Sequence, residues 1–116
     1  MKDRNLQVVE KILSEANVAL GFVHGMSFDD FDENEMLKRA TCMTVINIGE
    51  LVKNLDGDFR ARYRNVPWKD IAGFRDIAAH KYQTLRMEDV YSTVVYDFPE
   101  LSSMLISILE TYDKVD

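Results

Sequence analysis

The apolar residues of this chain recur at steps of three and four over most of its length, which is the spacing of α-helices and not of strands. The first such stripe consists of Leu6, Val9, Leu13, Ala16, Leu20 and Val23. Five glycines and two prolines in 116 residues leave little room for the many turns of an all-β fold. The pattern therefore predicts an all-α protein.

Four stripes of this kind predict one domain over residues 1–116, an antiparallel up-and-down bundle of four main helices. An acidic cluster from Asp29 to Glu35 precedes the second stripe. Carboxylates favour the positive end of a helix, so we expect the second helix to begin there and to run to about Leu55. Gly49 lies inside this helix at a cost of roughly 1 kcal/mol relative to alanine. We therefore expect the backbone of a neighbouring element to approach closely at Gly49.

The remaining half of the chain carries a predicted loop and two more helices. The segment Phe59–Val66 is predicted to be a loop, and Pro67 after it suits the first turn of the third helix. The stripe of that third helix extends to Tyr82. A sustained heptad-like stripe predicts the last helix, and Pro99 within it indicates a kink or a break near Asp97.

Several classes of protein are not expected from this composition. No uninterrupted apolar run approaches ~18 residues, so we expect no membrane span. The segment Met1–Asn5 leads into an amphipathic stretch and does not resemble a signal peptide. The single cysteine, Cys42, cannot form an internal disulfide or a thiolate metal site, which fits a reducing compartment. We expect a cytoplasmic protein without a metal or another cofactor.

The charge of the chain is distributed unevenly. The net charge is -6, but residues 53–86 carry +4 and the rest of the chain carries -10. A basic region in an acidic chain is a local footprint for an anionic partner. Arg60, Arg62 and Arg64 alternate within the predicted loop, and Lys81 adds a solvated charge. We expect these four residues to bind RNA phosphates, and an acidic partner surface is the alternative for the three arginines.

The octapeptide at residues 75–82, Arg-Asp-Ile-Ala-Ala-His-Lys-Tyr, carries the clearest chemical signal. The guanidinium of Arg75 is permanently charged and suits phosphate, and the imidazole of His80 moves protons near neutral pH. No set of metal ligands lies nearby in the sequence. A guanidinium and an imidazole are the minimum set for cleaving a phosphodiester that carries its own nucleophile, as RNA does.

Helical geometry predicts how these side chains meet. Arg75 and Tyr82 are seven residues apart and fall on nearly the same side of a helix, with His80 to one side, so all three would border one pocket. Asp76 precedes His80 by four residues and is expected to accept a hydrogen bond from its imidazole. Two alternatives stay open. Tyr82 is a functional residue or a core residue with a surface hydroxyl, and Glu50 is a partner of Arg75 or an ordinary exposed residue.

The same residues resemble the signature of the HEPN superfamily of helical ribonucleases, which is Arg-x4-His with a polar residue directly after the arginine. The longer form, Arg-x4-His-x-Tyr, is similar to that of the HepT-like toxins. Further matches are the segments Ile48-Gly49-Glu50, Val66-Pro67-Trp68 and Gly73-Phe74. One departure is Asp76, where many HepT-like members carry Asn, and it adds negative charge beside the expected phosphate site.

The resemblance implies a metal-independent endoribonuclease toxin of a type VII toxin–antitoxin pair. Its partner would be a minimal nucleotidyltransferase antitoxin that adds AMP to the motif tyrosine. By this carry-over Arg75 and His80 are catalytic, Asp76 supports them, and Tyr82 is the site of AMP addition. The alternative is a non-catalytic helical module that docks a nucleotidyltransferase and helps it to bind nucleotide or substrate.

The expected chemistry also predicts an oligomeric state. Cleavage through the 2′-OH needs a base for the hydroxyl proton and an acid for the leaving oxygen. One His80 cannot serve as both in the same step. A homodimer with two-fold symmetry supplies a second His80 and a second Arg75, so we expect a composite site between two motif helices.

Overall fold

The computed structural model describes residues 3–115, with side chains through Tyr112, and these residues form helices joined by short turns, without a strand. The α-helices of this range are α1 (Arg4–Val23), α2 (Phe28–Glu33), α3 (Glu35–Lys53), α4 (Gly57–Arg62), α5 (Trp68–His80), α6 (Met87–Ser92) and α7 (Phe98–Val115). A 3₁₀ turn (Tyr82–Thr84) follows α5, and a π-helical turn (Thr93–Asp97) joins α6 to α7. The predicted all-α fold is confirmed.

The four long helices, α1, α3, α5 and α7, form the bundle, in which α1 packs on both α3 and α7 and α5 packs on α3. Fully buried side chains such as Ile12, Ile48 and Leu105 join α1, α3 and α7 into one core. Cys42 lies in the same core, and burial raises the pKa of its thiol to about 11. Within residues 3–115, no helix is both long and apolar enough to span a membrane.

The second predicted helix is divided into two. Asn34 stands between α2 and α3, and its side-chain oxygen accepts a hydrogen bond from the backbone N–H of Leu37 at 3.0 Å. In a continuous helix, the backbone N–H of Leu37 would donate to a backbone carbonyl of the preceding turn. Because the Asn34 side chain accepts this hydrogen bond instead, a new helix can begin after Asn34. The acidic cluster therefore spans α2 and the start of α3, and the expectation of one helix was wrong.

A π-helical turn lies in the last helical region, near the position where the sequence indicates a kink or a break. The backbone N–H of Phe98 donates to the carbonyl of Thr93, which is the wider spacing of a π turn. Pro99 follows at the start of α7 and has no N–H to donate to the preceding turn. The wider turn before Pro99 keeps the backbone helical at the position where the sequence indicates a kink or a break.

Two predicted boundaries in the middle of the chain were wrong. The predicted loop Phe59–Val66 begins inside α4, a six-residue helix that buries Phe59. A helix this short shows no periodic stripe that could be read from the sequence. The third main helix ends at His80, because Lys81 leaves the helical region at φ -132° and ψ 36°. Tyr82 therefore does not share a helix with Arg75.

The close approach expected at Gly49 is confirmed, and its partner is α5. A β-carbon added to Gly49 would lie 2.6 Å from Cγ of Arg75 and closer still to its Cβ. No side chain fits in that space, since real β-carbons do not approach other carbons below 3.0 Å. Gly49 therefore allows α5 to pack directly against the backbone of α3 at Arg75.

Replacing Gly49 with alanine is expected to separate α3 from α5. The added β-carbon would meet Arg75 atoms next to the backbone, so the overpacking cost lies near the upper value of about 3 kcal/mol. The better helix propensity of alanine returns about 1 kcal/mol, so we expect a net loss of about 2 kcal/mol. Urea unfolding measures it. The matched control is Gly73→Ala on α5, where a β-carbon meets nothing within 4 Å and stability should rise. Equal stability of Gly49→Ala and wild type would contradict this account of the packing.

Candidate functional site

The N-terminal end of α5 is anchored in the core. Trp68, the first residue of α5, is 5% exposed, and its indole N–H donates to the backbone carbonyl of Tyr63 at 3.1 Å. Val66 is buried just before it, and Pro67 caps the helix with φ near -79°. These contacts fix the start of α5 and therefore the direction in which the motif residues project.

Arg75 is held between α5 and α3. Its side chain is only 20% exposed, and its guanidinium forms ion pairs with Glu50 of α3 and with Asp76, the latter at 3.0 Å. A charge buried to this extent needs such partners. The structure thus decides between the two interpretations of Glu50, which is a partner of Arg75. The Nε atom of Arg75 is buried and has no hydrogen-bond partner within the described residues.

Asp76 does not bind His80, contrary to the sequence-based expectation. Its Oδ1 accepts hydrogen bonds from the Lys53 ammonium at 2.7 Å and from the Arg75 guanidinium at 3.0 Å. These bonds, that of Lys53 first, hold the pKa of Asp76 below its usual value. Both donors are cationic side chains, and charge-assisted hydrogen bonds of this kind are stronger than those between neutral groups.

His80 lies at the exposed C-terminal end of α5, and Lys81 beyond it is exposed too. A separation of five residues places Arg75 and His80 about 140° apart around the helix and about 7.5 Å apart along it. No hydrogen bond joins Arg75, His80 and Tyr82 to one another in the part of the chain that the structure describes. The prediction of one pocket relied on Arg75 and Tyr82 sharing one side of a helix, and the end of α5 at His80 removes that basis.

Tyr82 occupies the 3₁₀ turn after α5. Its side chain is partly buried and packs against the core, and the Arg39 guanidinium of α3 lies 5.4 Å from the centre of its ring. This distance is within the range of a cation–π contact. The structure thus places Tyr82 beside a cation of α3.

The predicted RNA-binding arginines separate into two groups. Arg60 and Arg64 line a cleft of about 400 Å³ beside the start of α5, together with Lys69. Arg62 projects elsewhere, and its guanidinium lies 5.4 Å and 5.1 Å from the ring centres of Tyr63 and Tyr112. The structure thus brings two of the three arginines together and adds a lysine that the sequence analysis did not select.

Lys53 is the other cation that the sequence analysis missed. It lies three residues after Glu50, so both side chains fall on the same face of α3. Once Glu50 is known to pair with Arg75, this spacing indicates that Lys53 also lies near α5. Among residues 3–115, no three His, Cys, Asp or Glu side chains are grouped so that they could hold a metal ion.

Fold and site together define an all-α bundle protein that carries an Arg-x4-His motif on one of its main helices. The chain belongs to the HepT-like ribonuclease family, because the model of that family, described as "Ribonuclease HepT-like", matches residues 7–108. The resemblance found in the sequence is confirmed at the level of the family.

Similar proteins occur in bacteria and archaea. "Putative RNase TTE0752" of Caldanaerobacter subterraneus subsp. tengcongensis is 38% identical over 88% of this chain and 91% of its own length. "Putative RNase MJ0127" of Methanocaldococcus jannaschii is 34% identical over 90% of this chain and 87% of its own. "Probable ribonuclease HepT" of Thermococcus cleftensis is 28% identical over 87% and 92%, respectively. No solved structure matches the chain significantly.

Proposed function

We propose that this protein is a metal-independent endoribonuclease in which Arg75 binds the scissile phosphate and His80 transfers protons. The proposal rests on the environment of Arg75. Its guanidinium is four-fifths buried and is oriented by Glu50, and an exposed histidine follows five residues later. Membership of the HepT-like ribonuclease family and the names of its relatives support the same activity.

In the proposed reaction the 2′-oxygen of a ribose attacks the adjacent phosphorus and the bond to the 5′-oxygen breaks. A base accepts the 2′-OH proton, and an acid donates a proton to the leaving 5′-oxygen. The products are a 2′,3′-cyclic phosphate and a 5′-hydroxyl. Negative charge builds on the phosphoryl oxygens in the transition state, where the fixed guanidinium of Arg75 would stabilise it.

Replacing His80 with alanine tests this assignment. Loss of a general acid or base lowers rates by about 100-fold to 10,000-fold, so we expect the His80→Ala variant to lose nearly all cleavage of a single-stranded RNA. Arg75→Ala should cost about 2 to 4 kcal/mol of transition-state stabilisation. The matched control is His24→Ala, which removes the other histidine of the chain, at the end of α1. Full activity of His80→Ala would refute the catalytic role of His80, whereas absence of cleavage by the wild-type protein would favour the non-catalytic docking module.

The proposed site is shared by two copies of the chain. One His80 cannot act as base and acid in the same step, and His80 and Arg75 lie on different sides of α5. Two-fold symmetry supplies both residues twice. Ile77 lies between them on α5 and is 50% exposed, which supports an apolar contact between two motif helices at this point.

Ile77→Asp is expected to weaken the dimer and to abolish cleavage, because two-fold symmetry places two new carboxylates close together. Analytical ultracentrifugation at micromolar concentration measures the association. Ile106→Asp on α7 is the control, since Ile106 has a similar exposure of 44%. A wild-type monomer that cleaves RNA at this concentration would contradict the shared site.

RNA phosphates on either side of the scissile bond would meet further cations. We assign Arg60, Arg64 and Lys69 to one phosphate-binding cleft at the start of α5, which supports an RNA path along that helix. Lys81 extends this path beyond His80. Arg62 remains a predicted RNA contact, and binding there would compete with its stacking on Tyr63 and Tyr112.

The proposed cellular role is that of a toxin controlled by a minimal nucleotidyltransferase antitoxin. The antitoxin would transfer AMP from ATP to the Tyr82 oxygen, with release of pyrophosphate and of the phenolic proton. Tyr82 follows His80 by two residues, so the added nucleotide would obstruct RNA at the end of α5. Its phosphodiester charge would also repel the substrate.

Incubation with the partner nucleotidyltransferase and ATP should add the mass of AMP to the wild-type protein but not to Tyr82→Phe. Mass spectrometry of the intact protein and of its peptides measures the addition. Tyr96→Phe is the matched control, because Tyr96 is the most exposed tyrosine among the described side chains, at 72%. Modification of Tyr96, Tyr63 or Tyr91 in place of Tyr82 would contradict this regulation and leave the nuclease proposal unaffected.

A further inference from the structure

Four charged side chains form a cluster where α5 packs on α3. Glu50 and Lys53 come from α3, and Arg75 and Asp76 come from α5. The carboxylate of Asp76 lies between the two cations, and a single oxygen, Oδ1, accepts from Lys53 at 2.7 Å and from Arg75 at 3.0 Å. The cluster contains two positive and two negative charges and is therefore neutral.

The position of Asp76 Oδ1 is one that an oxygen of a phosphodiester could occupy. Such an oxygen also carries negative charge and accepts several hydrogen bonds, and lysine and arginine are the residues that bind it. The Asp76 and Lys53 side chains are 50% and 42% exposed, so the contact can be reached from solvent. Ion pairs at exposed positions contribute little free energy, and an incoming anion can displace them at small cost.

Glu50 has a different role in the same cluster. Glu50 pairs with the Nη2 atom of the Arg75 guanidinium, whereas Asp76 contacts the Nη1 atom. Loss of the Asp76 contact would therefore leave Arg75 oriented by Glu50. Lys53 has Asp76 as its ion-pair partner in the described chain, so the same loss would free its ammonium for a ligand.

We propose that Lys53 is a second phosphate-binding residue of the site, and that Asp76 holds in the free protein the place that an RNA phosphate oxygen takes between Lys53 and Arg75. This inference rests on the proposed function, because it names the phosphodiester of RNA as the anion. Asp76 is then an internal competitor of the substrate. Its removal should strengthen RNA binding through Lys53.

The test is a double-mutant cycle on RNA binding. Fluorescence anisotropy measures the affinity for a labelled single-stranded RNA whose 2′-hydroxyls are methylated, so that it cannot be cleaved through them. The proteins are wild type, Lys53→Gln, Asp76→Asn and the double variant, each measured over a range of salt concentrations. Lys38→Gln is the matched control, since Lys38 lies on the same helix and is also paired with carboxylates.

Lys53→Gln should weaken RNA binding about threefold to tenfold. The negative slope of log K against log salt should become shallower by about 0.7, the value for one phosphate contact on a single strand. Lys53→Arg should restore both. Asp76→Asn should tighten binding about threefold to tenfold in wild type and clearly less in Lys53→Gln, where only the contact with Arg75 is released. A purely structural ion pair predicts no change in the salt slope.

Other outcomes overturn the inference. If Lys53→Gln binds RNA as tightly as Lys38→Gln does, Lys53 is not a phosphate-binding residue. If Asp76→Asn has the same effect with and without Lys53, Asp76 does not compete with RNA for Lys53. A cleavage assay separates this failure from that of the proposed function. If wild type and Lys53→Gln cleave RNA equally well, only the inference fails. If wild type neither binds nor cleaves RNA, both fail.

Discussion

The contact between Gly49 of α3 and the Arg75 side chain of α5 determines the arrangement of the candidate site. Because Gly49 has no β-carbon, α5 lies directly on the α3 backbone, and Arg75 is buried at the point of closest approach. A guanidinium in that position needs a carboxylate, and Glu50, the next residue along α3, provides it. Lys53, one turn further, then meets Asp76. One missing side chain thus aligns four charges from two helices.

α5 connects this cluster to the other features of the basic region. A cleft lined by Arg60, Arg64 and Lys69 lies at its start, and His80 lies at its end, about 16 Å from Lys69 along the axis. The helix is fixed in the core by Trp68 and Ala78, which are both buried, and it packs along α3. Ile77 lies on an exposed part of its surface, where we propose that a second copy of the chain or RNA binds.

The sequence predicted those parts of the structure that depend on local periodicity or on a special residue. The four main helices follow from apolar stripes, and the close approach at Gly49 follows from a glycine inside a helix. No glycine or proline marks the end of α5 at His80, so the sequence pattern did not predict it. The partner of Asp76 was predicted wrongly because spacing along one helix describes only that helix, whereas the stronger donor, Lys53, comes from another. The position of Tyr82 was predicted wrongly because the end of α5 at His80 was not predicted.

We propose that Arg75 and His80 cleave RNA through attack of its own 2′-hydroxyl. The most direct test is the chemistry of the product ends after purified wild-type protein has cleaved a defined RNA, determined by mass spectrometry with and without EDTA. We expect a 2′,3′-cyclic phosphate and a 5′-hydroxyl at every cut, no cut where the 2′-hydroxyl is absent, and no inhibition by EDTA. Products with 5′-phosphates, or loss of cleavage on chelation, would contradict this proposal.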